Sequence, residues 1–529
     1  MKKMRKIFAV LLTLAMVLTM SMTAFAASSK SENHPAKGTA EDTGTITVSG
    51  IDSTETKITV TAYQIIKANY DNGGKFSGYE SLYPDAIKNP IGDDVNVTAA
   101  QLGDIIATNP KVANTEYSMT TTDNSTYTAT VPVGSYVVVI TGAENKIYNP
   151  VVVSVVYKNK DGQTVMDFNN VDVVANGNAW VKVSNHPDLN KVIVDGANEV
   201  KGNTANIGDT VSYKLTTTIP YYGGKYPVFN IVDNLDGLTY ANNLKVQVEG
   251  VDLSTEKYTV TPETITNTMT INFVVNGAYT LNEFQGKTLT VTYDATVNDQ
   301  AHINQNANTN SATLNYTKDS KVEGGDTSDN DKTYTYTYDI DAAVEGSVTT
   351  EILTKYGKKA DGTIEKLPGA EFTLFKDERC TATYTNSVFT GTVVTREDGS
   401  MPIRGLKAGT YYLKETKAPN GYTLNDTVYT IVIAQTLNDT DGKLASWSIT
   451  INGATIADSN GNRSDFTVSY DGEEIKVDAT NSETQIMNTK ISNLPSTGGI
   501  GTTIFTIAGC LIMVTAAGLF FASRKRTNK

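Results

Sequence analysis

The chain has 529 residues, with 44 Lys and Arg against 57 Asp and Glu and a net charge of −13. That surplus of acid opposes binding to nucleic acid or an anionic membrane, since both reward positive charge. Two cysteines cannot build a disulfide framework, and the three histidines, His34, His186 and His302, all lie in polar, turn-like contexts. No HExxH, GxSxG, CxxC or P-loop spacing occurs, so no cofactor, metal site or action on an outside substrate is expected.

In chain order, Lys2, Lys3, Arg5 and Lys6 precede a mostly apolar run over 7–20, and Ala24-Phe25-Ala26 closes it with small residues. This is the pattern of a secretory signal peptide over 1–26, cleaved after Ala26. Residues 27–43 are polar and turn-rich, expected as a disordered lead-in. Strand-like runs follow at 45–48 and 57–63. Thr98 and Gln101, ahead of Leu102, Ile105 and Ile106, form a capping box and predict one short helix. Strands resume at 135–141 and 150–157, which makes 44–185 a β-sandwich with a small helical insertion.

A second sandwich is expected over 186–346, with strands at 210–219, 229–232, 245–248, 270–275, 288–295 and 311–316. Thr, Val and Tyr dominate these runs and suit half-buried pleated surfaces. Residues 317–332 are charged and rich in Gly and Asp, and read as a loop. A third sandwich is expected over 347–490, with strands at 371–375, 409–415, 427–434 and 446–451. The fold class is therefore all-β, three tandem immunoglobulin-like sandwiches. Asp458-Ser459-Asn460 begins like a calcium loop, but Arg463 stands where the required Gly would be and no Glu closes it, so an ordinary loop is expected.

Within the third domain, Tyr411, Leu413 and Glu415 alternate with Tyr412 and Lys414, a period of two that aims a carboxyl group at an apolar core. The run stops at Ala418-Pro419-Asn420-Gly421, where Pro removes a donor and Asn-Gly favours a tight turn. Read on spacing alone, Glu415 could also reach solvent or pair with a lysine.

The far end carries Leu494-Pro495-Ser496-Thr497-Gly498, which matches the LPxTG sorting signal read by sortases, within a tether and motif segment over 491–498. Residues 499–529 then hold an uncharged run over 500–522, long enough for a bilayer that needs about 20 residues, followed by Arg524, Lys525 and Arg526. Motif, apolar span and basic tail together predict a sortase substrate with a transmembrane sorting segment. Cleavage at both ends removes four basic residues from each, leaving 36 basic against 57 acidic and a net charge of −21. Only Cys380 survives, so no internal disulfide can brace the exported product.

The stretch from Tyr411 to Tyr422 resembles the E-box of Gram-positive pilins, Y-x-L-x-E-T-x-A-P-x-G-Y, at Tyr411, Leu413, Glu415, Thr416, Ala418, Pro419, Gly421 and Tyr422. The resemblance to backbone pilins with CnaB-type domains implies a spontaneous amide bond between a Lys on a domain's first strand and an Asn on its last, catalysed by a buried acid. In the third domain it points to Lys355, Asn488 and Glu415, and in the second to Lys191, Asn310 and Asp233, with Asp236 a rival acid. No such trio is expected in the first domain. A buried lysine loses its proton and becomes a nucleophile, and a protonated acid polarises the carboxamide carbonyl and helps ammonia leave.

The resemblance also implies polymerisation, in which a lysine near the junction of the first two domains attacks the sortase thioester formed on Thr497 of the next subunit. The family's W-x-x-x-V-x-V-Y-P-K motif is not intact here. Its pieces lie rearranged over Trp180 to Pro187 and point to Lys182, with Lys158, Lys160 and Lys201 as alternatives. The expected role is the structural shaft subunit of a covalent pilus on a Gram-positive cell wall. The alternative is a minor pilin or a single wall-anchored adhesin. Implied partners are a sortase, identical subunits, minor pilins, and peptidoglycan directly or through an anchoring subunit; a host surface ligand stays open.

Overall fold

A computed structural model of the chain describes residues 33–89, 91, 95–107, 115–222, 227–319, 326–340, 354–401, 403–460, 468–471, 474–477, 485–490 and 500–526. The signal peptide, the LPxTG motif and the start of the lead-in lie outside these residues. The chain divides into two compact units, one of Met1–His302, Asn306–Tyr336 and Leu437–Leu444, the other of Ile303–Gln305, Thr337–Thr436 and Ala445–Lys529.

The first unit holds two sandwiches. In the N-terminal one, a seven-stranded sheet runs His34–Pro35, Val173–Ala175, Val151–Lys158, Gly134–Thr141, Thr59–Tyr70 and Phe76–Ser81, with Glu116–Ser118 also paired to Thr59–Tyr70. The facing four-stranded sheet runs Gly177–Trp180, Thr43–Ser49, Thr126–Pro132 and Thr120–Thr121. Its closing strand lies parallel to its opening one, Gly177 opposite Ile46. Residues His34–Pro35, inside the expected lead-in, are paired with Val173 and Val174.

The expected helix is present at Ala99–Ala107. Its capping box closes both ways, Thr98 N donating to Gln101 Oε1 at 2.9 Å and Gln101 N to Thr98 Oγ1 at 3.3 Å. Ile105 and Ile106 bury its apolar face in the core.

The middle sandwich packs a sheet of Asn198–Val200, Asn190–Asp195, Thr210–Thr218, Thr288–Val297, Lys245–Val248 and Val251–Asp252, with Leu238–Tyr240 added to Thr288–Val297, against a second sheet. The second runs Gly202–Thr204, Asp326–Tyr336, Asn308–Thr317, Phe229–Leu235, Thr268–Asn272 and Thr259–Thr261. Alternation along Phe229–Leu235 and Thr288–Val297 buries every second side chain, as half-buried strands require.

Here the structure corrects the sequence reading, because Asp326–Tyr336, within and beyond the expected loop, is a strand paired along the whole of Asn308–Thr317. Its polar residues do not oppose the pairing. Asp329 Oδ2 accepts the Leu189 N–H at 2.7 Å and Asp331 Oδ2 accepts that of Lys191, so both carboxylates serve the neighbouring sheet's edge. Pairing context outweighs the poor strand preference of Asp and Asn.

The second unit contains the third sandwich. A six-stranded sheet runs Thr392–Val394, Glu371–Phe375, Gly409–Lys417, Val428–Leu437, Leu444–Ile451 and Ala454–Asp458. A three-stranded sheet runs Ile364–Lys366, Thr354–Lys358 and Gln485–Thr489. In it the first and last strands lie parallel, with Lys355 opposite Ile486 and Gly357 opposite Asn488. Beyond this sandwich, Ile500–Arg526 forms a helix. Among the described residues no helix is long and apolar enough to cross a membrane.

Candidate functional site: two buried lysine–acid–asparagine clusters

Along Gly409–Lys417 the side chains of Tyr411, Leu413 and Glu415 point inward, and the flanking Tyr412 and Lys414 are only partly covered. The parallel pairing with Thr354–Lys358, which sets Gly357 opposite Asn488, brings Asn488 beside Lys355. Lys355 and Glu415 are fully buried and Asn488 is 2% exposed.

Lys355 Nζ donates to Asn488 Oδ1 at 2.6 Å and lies 3.4 Å from Glu415 Oε2, while Asn488 Nδ2 donates to Glu415 Oε1 at 2.8 Å. The Asn425 N–H donates to Glu415 Oε2 at 2.8 Å and helps fix the carboxyl group. The Phe372 ring, its centroid 5.2 Å from Nζ, closes another side. Burial lowers the Lys355 pKa to about 8, with Glu415 opposing the shift, so neutral amine is accessible near neutral pH.

This arrangement can form an amide. One carboxyl group touches both the attacking nitrogen and the leaving nitrogen, and can take a proton from Nζ and deliver it to Nδ2 as ammonia departs. The sequence reading had the acid polarising the carbonyl oxygen. In the structure Oδ1 faces Lys355 instead, and the acid faces Nδ2.

The turn after the strand completes the site. Gly421, at φ +87°, lets the chain reverse, and Tyr422 N donates to Pro419 O at 3.1 Å. Tyr422 then lies over Gly357, where an added Cβ would come within 2.6 Å of its ring, and its hydroxyl donates to Glu365 Oε1 at 2.7 Å. We expect Gly357→Ala to destabilise this sandwich by about 1–3 kcal/mol, the usual range for overpacking. An unchanged midpoint for this unit in scanning calorimetry would show that Tyr422 simply moves aside.

In the middle sandwich Lys191 and Asn310 are fully buried and Asp233 is 1% exposed. Lys191 comes from one sheet, and Asp233 and Asn310 from the other. Lys191 Nζ hydrogen-bonds Asp233 Oδ2 and donates to the Tyr293 hydroxyl at 2.9 Å. That hydroxyl donates to Asp233 Oδ1 at 2.8 Å and accepts from Asn310 Nδ2 at 2.7 Å. Burial lowers the Lys191 pKa against the pull of Asp233. The rival Asp236 is exposed and lies 3.2 Å from His302 Nε2, which leaves Asp233 as the buried acid. In the first sandwich no lysine is buried among the described residues.

Lys182 lies at the junction of the first and middle sandwiches. Its carbonyl accepts from Asn149 N and Nδ2 at 3.0 and 3.3 Å, and its ammonium sits 3.3 Å from the centroid of the Tyr221 ring. Partial burial lowers its pKa. Lys201 is held by Asp331, Asn190 Oδ1 and the Lys191 carbonyl. Lys158 ends the strand Val151–Lys158, and Lys160 is exposed in the turn that follows. Leu494, Pro495, Ser496, Thr497 and Gly498 lie outside the described residues.

Three family models match the chain: a T6 antigen Ig-like domain over 41–179, the SpaA prealbumin-like fold domain over 354–444, and an LPXTG cell wall anchor motif over 487–529. The chain thus carries an Ig-like domain match, a prealbumin-like domain match and a cell wall anchor match. A curated relative, the trypsin-resistant surface T6 protein of Streptococcus pyogenes serotype M6, is 26% identical over 435 residues, covering 74% of this chain and 79% of the relative. Among solved structures, the T6 backbone pilin of the same serotype is similar at 19% identity and a TM-score of 0.49, covering 87% of this chain and all of that one. The major pilin SpaD of Corynebacterium diphtheriae is similar at 17% identity and a TM-score of 0.43, covering 86% and 98%.

Sequence reasoning missed Tyr293, the residue at the centre of the middle cluster. It is one of 28 tyrosines, in a strand whose Thr/Val/Tyr alternation looks like ordinary core. Its only signal was an inward register shared with the two buried sheets.

Proposed function

We propose that this chain is the structural shaft subunit of a covalently polymerised pilus on a Gram-positive cell wall. Its role is structural, and its only chemistry on itself is amide formation at Lys355–Asn488 and Lys191–Asn310. The observation that carries the reading is the contact between Lys355, Glu415 and Asn488, because it joins the first strand of a sandwich to its last. A covalent link there puts tension through the chain rather than through sheet hydrogen bonds, which suits an exported rod with no disulfide.

After export, a sortase cuts after Thr497. The Thr497 acyl group then passes to Lys182 of an identical subunit, or to peptidoglycan at the base. A sortase and further pilin subunits are the partners this chemistry requires. In an immunoblot of wall extracts from cells making the full-length chain, a high-mass ladder is expected. One band at monomer mass would refute the shaft and leave a singly anchored surface protein.

A further inference from the structure

We infer that Tyr293 is a working member of the middle cluster, its hydroxyl relaying the proton that amide formation must move between Lys191, Asp233 and Asn310. This rests on, and deepens, the reading that Lys191 and Asn310 become linked.

Two sites in one chain meet the same need with different acids. In the third sandwich Glu415 reaches both nitrogens with its own two oxygens, 3.4 Å from Lys355 Nζ and 2.8 Å from Asn488 Nδ2. In the middle sandwich the acid is an aspartate, one methylene shorter. Asp233 meets Lys191 Nζ through Oδ2, but its Oδ1 meets the Tyr293 hydroxyl at 2.8 Å, and it is that hydroxyl which holds Asn310 Nδ2 at 2.7 Å. The phenol oxygen thus stands where the second arm of the glutamate stands in the other site, and Lys191 Nζ also touches it, at 2.9 Å.

The ring is fixed for this task. Tyr293 lies opposite Tyr213 in the paired strands, stacks on it with centroids 5.4 Å apart, and meets the edge of Tyr240 at 5.8 Å. Burial, with Asp233 nearby, raises its pKa well above the usual value, so the hydroxyl keeps its proton and serves as a neutral donor and acceptor.

The balance closes. Lys191 passes one proton to Asp233, and its neutral amine attacks Asn310 Cγ. The new nitrogen–carbon bond forms as the Cγ–Nδ2 bond breaks. Tyr293 gives its proton to the leaving nitrogen and regains one from Asp233, which takes the second proton of Nζ. The products are the amide, ammonia, intact tyrosine and a neutral Asp233 carboxyl.

The test follows pulse-labelled chain 27–497 by intact mass and by the cross-linked peptides of each site. The Lys355–Asn488 link serves as an internal clock. Tyr293→Phe should slow the Lys191–Asn310 link about 100-fold, the lower range for one general acid–base group, and leave the clock unchanged. Tyr240→Phe, which perturbs the same aromatic packing, should change neither rate. Asp233→Glu in the Tyr293→Phe background supplies a longer arm and should restore the rate, a rescue that a merely structural tyrosine would not predict. Hydrogen exchange along Thr210–Thr218 and Thr288–Val297 reports whether each variant is folded. A folded Tyr293→Phe chain that links at the wild-type rate overturns the relay. A wild-type chain that never links Lys191 to Asn310 overturns the underlying reading as well.

Discussion

Glu415→Ala should leave the exported chain about 17 Da heavier than a fully linked chain of the same substituted sequence, the mass of the one ammonia not expelled. The third sandwich should also melt well below its wild-type midpoint. Among the described residues Glu415 is the group in contact with both Lys355 Nζ and Asn488 Nδ2, and so the one placed to carry the proton between them. Without the link, the unfolded third domain regains the freedom of a loop closed across a separation of 133 residues. The loop-closure model puts that at roughly 4–5 kcal/mol. For a domain of this size such a loss lowers the midpoint by roughly 10–20 °C.

Alanine also opens a cavity, so Glu415→Gln is the sharper variant: it keeps the volume and much of the hydrogen bonding but cannot shuttle a proton. It should retain the same one ammonia with a smaller packing cost. A Glu415→Gln chain that loses as many ammonia molecules as the wild type would show that the acid is not needed, and the bond-forming role of the cluster would fall with it.

How much of this could be read beforehand depends on the kind of signal each residue carries. Tyr411, Leu413 and Glu415 declared their inward face by strict alternation, and the structure buries all three. Thr98 and Gln101 announced the helix because a capping box is local chemistry, closed within one turn. Lys355 and Asn488 had no such local mark. Their meeting depends on a parallel pairing across most of a domain, so only resemblance to a family pointed to them.

Asp326–Tyr336 was misread for the opposite reason. Its Asp, Ser and Asn residues look like a loop in isolation, and only the neighbouring edge, whose N–H groups Asp329 and Asp331 accept, shows why they suit a strand. Tyr293 lay beyond reach altogether, because the sheet that carries it and the sheet that carries Asp233 and Asn310 meet only in the fold.

The second large effect is expected on assembly rather than on stability. Lys182→Ala should collapse the high-mass ladder of wall extracts to monomer while leaving both internal mass losses in place. Lys201 is already committed to Asp331 and two further oxygens, whereas Lys182 has a partly covered ammonium resting on an aromatic face, with its pKa lowered by burial. A lowered pKa enlarges the fraction of neutral amine that can attack a thioester.

Alanine removes the cation–π contact with Tyr221 as well as the nucleophile, so a disturbed junction could mimic a chemical effect. Lys182→Arg separates the two, since arginine stacks on the ring at least as well yet remains protonated and cannot be acylated. Both variants should abolish the ladder. If Lys182→Arg still polymerises, the amine lies elsewhere, and Lys158, at its strand's end, and Lys160, exposed in the turn that follows, become the residues to replace.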